Sequence, residues 1–122
     1  MAYRDVSVWL EDIMTAISNI RQFTKDLLTY ADYAKSQIHI FATERNLEII
    51  GEALKNVMRL EPDLQISDTK RIIGLRNIIN HQYYEVEHDR IWIIITKNIP
   101  VLEIEVRKIL EDYERRLELN EL

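Results

Sequence analysis

The chain has 122 residues, no cysteine and a formal net charge of −5 at pH 7. Its length predicts one domain, over residues 1–122, that buries a single core. Because no thiol is present, disulfides, thiolate catalysis and Cys-ligated zinc are excluded, and the composition fits a reducing cytoplasm. The negative charge argues against bulk electrostatic binding of nucleic acid, although it is compatible with a small local phosphate site.

The N-terminal segment lacks the pattern of a secretory signal, because Asp5, Glu11 and Asp12 interrupt its apolar residues. The longest apolar run, residues 91–95, falls far short of the ~20 residues that cross a bilayer. We therefore expect a cytoplasmic protein that does not enter a membrane.

The first predicted element is an amphipathic helix that Asp5 or Ser7 can cap. Its apolar residues recur mostly three and four positions apart, which places them on one stripe. They are Val6, Trp9, Leu10, Ile13, Ile17 and Ile20. Next, Thr24 can cap a short helix through Tyr30, and Asp32 can start the following element.

A long helix is predicted from about Tyr33 to Leu60, with an apolar stripe wide enough to contact more than one neighbour. Gly51 in its middle costs about 1 kcal/mol relative to Ala, and the usual reason to keep such a glycine is close helix packing. Glu48 and Glu52 could belong to a solvated ion-pair face or point toward a site. The ion-pair face is the commoner arrangement, so we assign these two residues no catalytic role.

Pro62 ends the long helix because proline cannot continue it. Ser67 or Asp68 is expected to cap the next helix, which runs from about Thr69 to His81. Residues 90–97 are rich in β-branched and aromatic side chains, which allows a strand. We predict a short helix there instead, because a lone strand would have no partner.

Pro100 suits the first turn of a last helix. With only two Gly and two Pro, the composition favours helices joined by short connections. Together these elements predict an all-α fold, an up-and-down bundle of four main helices plus one or two short ones.

Residues 76–83 place an Arg, two Asn, a His and a Tyr within eight positions. His81 can exchange a proton near neutral pH, and Arg76 can hold a phosphate through two parallel hydrogen bonds. These two groups are the minimum for cleaving RNA without a metal. His81 would take the ribose 2′-proton or protonate the leaving 5′-oxygen, and Arg76 would stabilise charge on the phosphate. Asn77 and Asn80 could orient the substrate or the histidine.

A structural explanation of the same segment stays open. An Arg and a His near the end of a helix favour its negative C-terminal pole, and Tyr83 could simply pack its ring. Geometry also restricts the catalytic explanation, because five helical steps place Arg76 and His81 about 140° apart. The two converge only if the helix ends or distorts near His81, or if two chains of a symmetric dimer contribute.

The pattern Arg76-(x)4-His81-x-Tyr83 resembles the motif of HEPN-domain ribonucleases, and in particular of their HepT toxin branch. Residues 46–53 resemble the long-helix segment of that branch, and residues 74–78 resemble the lead into its motif. Trp92, in the later apolar run, also matches. The resemblance spans roughly residues 5–110.

This resemblance implies a helical homodimer in which Arg76 and His81 of both chains line a cleft that cleaves RNA, not DNA, with no metal or cofactor. It further implies a toxin–antitoxin pair whose antitoxin is a minimal nucleotidyltransferase. That partner would use ATP to attach AMP to Tyr83. An anionic group two residues from His81 would then occupy the phosphate site and block RNA.

Two other functions stay open. The chain could be a non-catalytic HEPN module that binds RNA or nucleotide and partners a nucleotidyltransferase, which the low basic charge favours. It could also be a plain helical interaction domain. His39 and His88 match no motif position. We expect His39 to be partly packed on its helix and His88 to be a capping or surface histidine. Trp9 and Trp92 are expected in the core or in a dimer contact.

Overall fold

The computed structural model describes residues 2–81 and 87–121, and of residues 2–4, 76–78, 80 and 81 it describes the helical backbone. No strand occurs within these ranges. The helices are α1 (Ala2–Thr24), α2 (Tyr30–Ala34), α3 (Gln37–Leu60), α4 (Thr69–His81), α5 (His88–Ile93) and α6 (Ile99–Glu118), with a π-helical turn at Ile94–Asn98. The predicted all-α bundle of four main helices and two short ones is confirmed.

Helix α3 is the element around which the others pack. It contacts α1 and α4 extensively, and α6 in turn contacts α1. Ile50, Leu54 and Val57 of α3 are completely buried, and Gly51 is buried in the same helix. The wide apolar stripe of this helix therefore serves two neighbours, as predicted.

Helix α1 contributes one continuous apolar stripe to the core. The stripe residues Val6, Leu10, Ile13, Ile17 and Ile20 are all at most 1% exposed, and Trp9 packs against them while half-buried. Burying one such aliphatic side chain contributes roughly 1.5–3 kcal/mol. This stripe was predicted correctly from its spacing.

The segment after α1 differs from the prediction. Thr24 is the last residue of α1, and its hydroxyl donates to the Ile20 carbonyl at 2.7 Å, so it does not cap a short helix. The short helix is α2, and Thr29 caps it. The Thr29 hydroxyl accepts from the Asp32 amide while the Asp32 carboxylate accepts from the Thr29 amide, a reciprocal capping box.

Two other predicted helix starts are also wrong. α1 already begins at Ala2, so Asp5 lies in its first turn and Ser7 lies inside it. The long helix begins at Gln37 instead of Tyr33, because Ser36 caps it and accepts from the His39 amide. Tyr33 belongs to α2, where it is completely buried.

Side chains from α6 and from the π turn hold the start of α4. The Ser67 amide and hydroxyl both donate to the Glu105 carboxylate, at 3.0 and 2.8 Å. The Asp68 carboxylate accepts from the Asn98 amide group at 2.9 Å, and the Asp68 carbonyl accepts the helical bond of Ile72. The backbone of Asp68 has a φ of 59°, in the left-handed region. The connection before α4 is therefore fixed by contacts about 30 to 38 residues away in the chain.

The predicted helix over residues 90–97 is confirmed over the strand alternative, but it is not separate from the last helix. α5 passes through the π turn directly into α6, with the Ile99 amide donating to the Ile94 carbonyl. Pro100 cannot donate a helical hydrogen bond and would clash with the carbonyl four residues before it. The wider π turn accommodates this proline. The Thr96 hydroxyl bonds the Trp92 carbonyl at 2.9 Å.

Candidate functional site

The residues of the motif occupy the C-terminal half of α4. Arg76, Asn77, Asn80 and His81 all lie within α4, and His81 is the last residue of that helix. The predicted helix over residues 69–81 thus has the bounds that were expected. Tyr83, the expected modification site, lies outside the described residues.

The backbone of α4 is helical at every residue from Arg76 to His81. The two positions therefore stand about 140° apart around the axis and about 7.5 Å apart along it. Residues 82–86 lie outside the described residues. An end or distortion of the helix near His81 therefore stays a prediction, and so does a contribution from a second chain.

The rotation of α4 about its own axis is set by its apolar residues. Ile72, Leu75 and Ile79 are at most 7% exposed and pack in the core. Positions 70, 74, 77 and 81 fall on the opposite side of the helix, within about 60° of arc. Along the helical backbone, positions 77 and 81 therefore fall on one stripe, and position 76 lies at least about 100° from either of them.

A cluster of titratable and aromatic side chains holds the start of α5, which follows the motif in the chain. The Nδ1 atom of His88 lies 3.6 Å from Oε1 of Glu44 on α3, and the Glu44 side chain is 16% exposed. Burial raises the pKa of Glu44 above its ordinary value, while nearby His88 lowers it and Glu48 raises it. The rings of Trp92 and Tyr33 stack with their centroids 5.5 Å apart. Helix α5 is thereby fixed to both α2 and α3.

No pattern in the sequence predicted this cluster. Glu44 lay in a run of charged residues on a helix, and Tyr33 was expected at a helix start. Their partners His88 and Trp92 are more than 40 residues away in the chain, and such a separation carries no spacing signal. Burial and Glu44 both raise the pKa of the Tyr33 phenol, so the cluster favours a neutral tyrosine.

Glu48 and Glu52 of α3, which could have pointed toward a site, have partners on their own helix. Glu48 Oε2 lies 3.6 Å from the Arg45 guanidinium, one helical turn away. The Asn56 amide group donates to the Glu52 carbonyl at 2.9 Å and to its carboxylate at 3.5 Å. The contact of Glu48 fits the ion-pair face that was expected, whereas Glu52 contacts an amide group. His39 is partly buried within α3, as expected, and its Nδ1 contacts the Ser36 hydroxyl.

A cavity of about 760 Å³ lies away from the motif, at the other end of α4. It is lined by four carboxylates and two cations from the connection before α4 and from α6, namely Glu61, Asp63, Glu105, Asp112, Lys108 and Arg116. The start of α4 and His81 are about 18 Å apart along the helix axis. Acidic walls repel phosphate, so this cavity does not suit RNA despite its volume.

The chain matches the sequence model of the HepT-like family, described as ribonuclease HepT-like, over residues 13–109. That match covers the whole of α3 and α4, and therefore the Arg76–His81 segment. The chain belongs to the HepT-like ribonuclease family. The resemblance found in the motif, in residues 46–53 and in residues 74–78 is thus confirmed at the level of the family.

Relatives of full length support the same assignment. The chain is 32% identical to a protein of Methanocaldococcus jannaschii over 87% of this chain and 97% of that one. It is 31% identical to a second protein of that organism over 95% and 100% of the two chains. Both are named provisionally as RNases. A Thermococcus cleftensis protein, named provisionally as ribonuclease HepT, is 33% identical over 83% of this chain and 92% of that one.

No solved structure matches the chain at a comparable level. Within the described residues, no helix combines the length and the apolar character that crossing a bilayer requires. The same part of the chain contains no group of three or more His, Asp or Glu side chains arranged to hold a metal ion.

Proposed function

We propose that this protein is an endoribonuclease that acts without a metal, and that it is the toxin of a toxin–antitoxin pair. The proposal is supported by the position of Arg76 and His81 in the C-terminal half of a regular helix, inside the segment that matches the ribonuclease family. Helix α4 is anchored at its start and along its core face. A rigid helix is a suitable support for catalytic groups.

The proposed reaction is transfer of the phosphodiester within RNA. The ribose 2′-oxygen attacks the adjacent phosphorus, the bond from phosphorus to the 5′-oxygen breaks, and a 2′,3′-cyclic phosphate and a 5′-hydroxyl result. One His81 takes the 2′-proton as general base, and a second His81 gives a proton to the leaving oxygen. Arg76 stabilises the charge that builds on the phosphate, while Asn77 and Asn80 orient the substrate.

A homodimer is part of this proposal. Two transfers of a proton need two groups in opposite protonation states, and each chain offers one histidine in the motif. A symmetric dimer that joins two copies of the end of α4 would supply both. It would also bring Arg76 of one chain toward His81 of the other, which the separation of about 140° hinders within a single chain.

Control of the toxin is proposed to act on Tyr83. A minimal nucleotidyltransferase would direct the Tyr83 phenol oxygen at the α-phosphorus of ATP. The oxygen–phosphorus bond forms, pyrophosphate leaves and the phenol proton is released. The AMP group places negative charge two residues from His81, where it would compete with the phosphate of RNA.

Cleavage by the purified protein tests the enzymatic proposal. Total RNA and a defined single-stranded RNA are incubated with the unmodified protein in EDTA, beside Arg76→Ala, His81→Ala and the control His39→Ala. We expect wild type and His39→Ala to cut and the two motif variants to lose at least about 100-fold in rate, in line with removal of a general acid or base. Full activity in His81→Ala would refute the assigned role.

A second function is favoured by one observation, the net charge of −5. A HEPN module that binds RNA or nucleotide without cutting it needs no catalytic geometry. Binding with no cleavage by the wild-type protein would support this alternative over the enzyme. Co-expression with a nucleotidyltransferase encoded beside the gene, followed by intact mass measurement of wild type and Tyr83→Phe, tests the modification in either case.

A further inference from the structure

A basic groove runs between α4 and α5, beside the motif. Its lining residues are Lys70, Arg71, Gly74, Leu75, Arg90 and Ile94, and its volume is about 350 Å³. Three of these six residues are cations, and no carboxylate is among the lining residues that the structure describes. This composition is the reverse of the acidic cavity at the other end of α4.

The cations of the groove are exposed to solvent and available to an anion. The side chains of Lys70, Arg71 and Arg90 are all exposed. Arg90 forms an ion pair with Glu87 through its Nε atom, at 2.9 Å, in which both side chains are more than half exposed. A guanidinium has five N–H donors, so this pair leaves most of the donors of Arg90 for another ligand.

Gly74 keeps the groove open. A Cβ atom built at this position meets nothing within 4 Å, so the space above the glycine is empty. Glycine is a poor helix former, and packing does not require it here. Because Gly74 has no side chain, the helix backbone itself forms the floor of the groove.

The groove lies on the part of α4 that directly precedes Arg76. Along the helical backbone, positions 70 and 74 fall on the same stripe as positions 77 and 81. Gly74 and His81 are separated by about 10 Å along the helix, which corresponds to about three base steps at the ~3.4 Å rise of a stacked strand. A strand that lies in the groove would therefore reach the catalytic histidine after a few nucleotides.

We propose that this groove binds the phosphate backbone of single-stranded RNA and guides the strand to His81. The proposal rests on the ribonuclease function proposed above and names the part of the substrate that the protein holds. Backbone contacts explain how a protein with a net charge of −5 holds a polyanion, because the positive charge is local. Leu75 and Ile94 close the groove from the core side, at 7% and 2% exposure, so its exposed cations are the groups that contact the strand.

Two sets of variants test the groove, with a short single-stranded 2′-O-methyl RNA as the probe, since it has no free 2′-hydroxyl and stays intact. Lys70→Gln/Arg71→Gln removes two groove cations. Lys55→Gln/Lys108→Gln makes the same change of charge at exposed positions on α3 and α6. Gly74→Leu fills the groove, and Gly74→Ala is its small counterpart. Affinity is measured over a series of KCl concentrations.

We expect Lys70→Gln/Arg71→Gln to weaken binding on the order of tenfold and to lower the salt slope by about 1.4, which is about 0.7 for each lost phosphate contact on a single strand. The Lys55/Lys108 variant should lose less than about twofold, because it removes no such contact. Gly74→Leu should weaken binding at unchanged melting temperature, while Gly74→Ala should bind as wild type does. Equal affinities of the groove variants and the control variants for the RNA would overturn the proposal. A protein partner would then be the remaining ligand for the groove.

Cleavage of a dinucleotide separates this proposal from the ribonuclease function. A dinucleotide is too short to reach from His81 into the groove, so the groove variants should cut it at the wild-type rate and lose activity only on longer RNA. If wild type cuts RNA and the groove variants cut long and short substrates as well as wild type does, the groove alone is refuted. If wild type neither binds nor cuts RNA, both proposals fall.

Discussion

The Nδ1 atom of His88, the first residue of α5, lies 3.6 Å from Oε1 of Glu44 on α3. This pair connects α3 with α5, the helix that follows the motif in the chain. Glu44 is held among Glu48 on its own helix, His88 on α5 and Tyr33 on α2. Its protonation is therefore linked to the stability of this end of the fold.

Replacing Glu44 by Gln should flatten the dependence of stability on pH. Burial raises the folded-state pKa of Glu44 above its ordinary value of 4.5, so the folded protein holds this proton more tightly than the unfolded chain. The resulting contribution to stability is present below pH 4.5 and is lost as the pH rises through the raised pKa. Thermal melts between about pH 4 and pH 7 should show a smaller decline for Glu44→Gln than for wild type.

His88→Ala is the matching variant for that measurement. His88 lowers the pKa of Glu44, so its removal should raise that pKa further and make the decline steeper than in wild type. Parallel pH profiles for wild type, Glu44→Gln and His88→Ala would contradict the coupling.

Tyr33 should be more important for its ring than for its hydroxyl. It is completely buried and stacks on Trp92 at 5.5 Å, and within the described residues its hydroxyl has no hydrogen-bond partner. Tyr33→Ala should cost about 3–5 kcal/mol, as for other large aromatic residues in cores. Tyr33→Phe should be neutral or stabilising, because it removes a buried polar group that lacks a partner. Urea unfolding of both variants measures this, and a loss of more than about 1 kcal/mol in Tyr33→Phe would exclude the explanation.

Sequence patterns predicted the helices better than their caps. The spacing of apolar residues predicted the stripe of α1 and the bounds of α4. The helix over residues 90–97 was predicted because a lone strand there would have no partner. Thr24, Asp5 and Ser7 were expected at helix starts, where they are chemically suited. Thr24 is instead the last residue of α1, where its hydroxyl donates to the Ile20 carbonyl.

The motif was found by residue type, whereas the contacts that hold it depend on tertiary structure. Arg76 and His81 differ from their apolar surroundings and can be recognised in the chain. The bonds from Ser67 to Glu105 and from Asp68 to Asn98 join residues 30 or more positions apart. Neither the composition nor the spacing of a single sequence identifies such pairs, because only the packing of α6 beside the start of α4 brings them together.

Glu103 on α6 should be an important electrostatic anchor of the bundle. Glu103 is 8% exposed. Its carboxylate contacts the guanidinium of Arg21 on α1 and lies 3.5 Å from the guanidinium of Arg107. The two guanidiniums are more than half exposed, at 60% and 53%, so solvent screens them and Glu103→Ala should cost about 1 kcal/mol. Glu111→Ala, an exposed change on the same helix, should stay within about 0.5 kcal/mol of wild type. Chemical denaturation measures both, and equal losses would contradict the anchor.

Mixed dimers offer the sharpest test of whether two chains form the ribonuclease site. Wild-type and His81→Ala chains are unfolded together, refolded at a series of ratios, and assayed for RNA cleavage at constant total protein. If one His81 acts as base and the partner His81 as acid, only dimers of two wild-type chains are fully active. The rate should then fall with the square of the wild-type fraction.

Chains that act alone would give a rate that falls in direct proportion to the wild-type fraction. Refolding wild type with His39→Ala, which changes a partly buried histidine outside the motif, controls for losses in refolding and should leave the rate unchanged. A linear decline with the His81→Ala chain would refute the shared site while leaving the role of His81 in each chain intact. The outcome matters for geometry as well. The separation of about 140° between positions 76 and 81 on a regular helix is overcome by a second chain in one case and by local rearrangement at the end of α4 in the other.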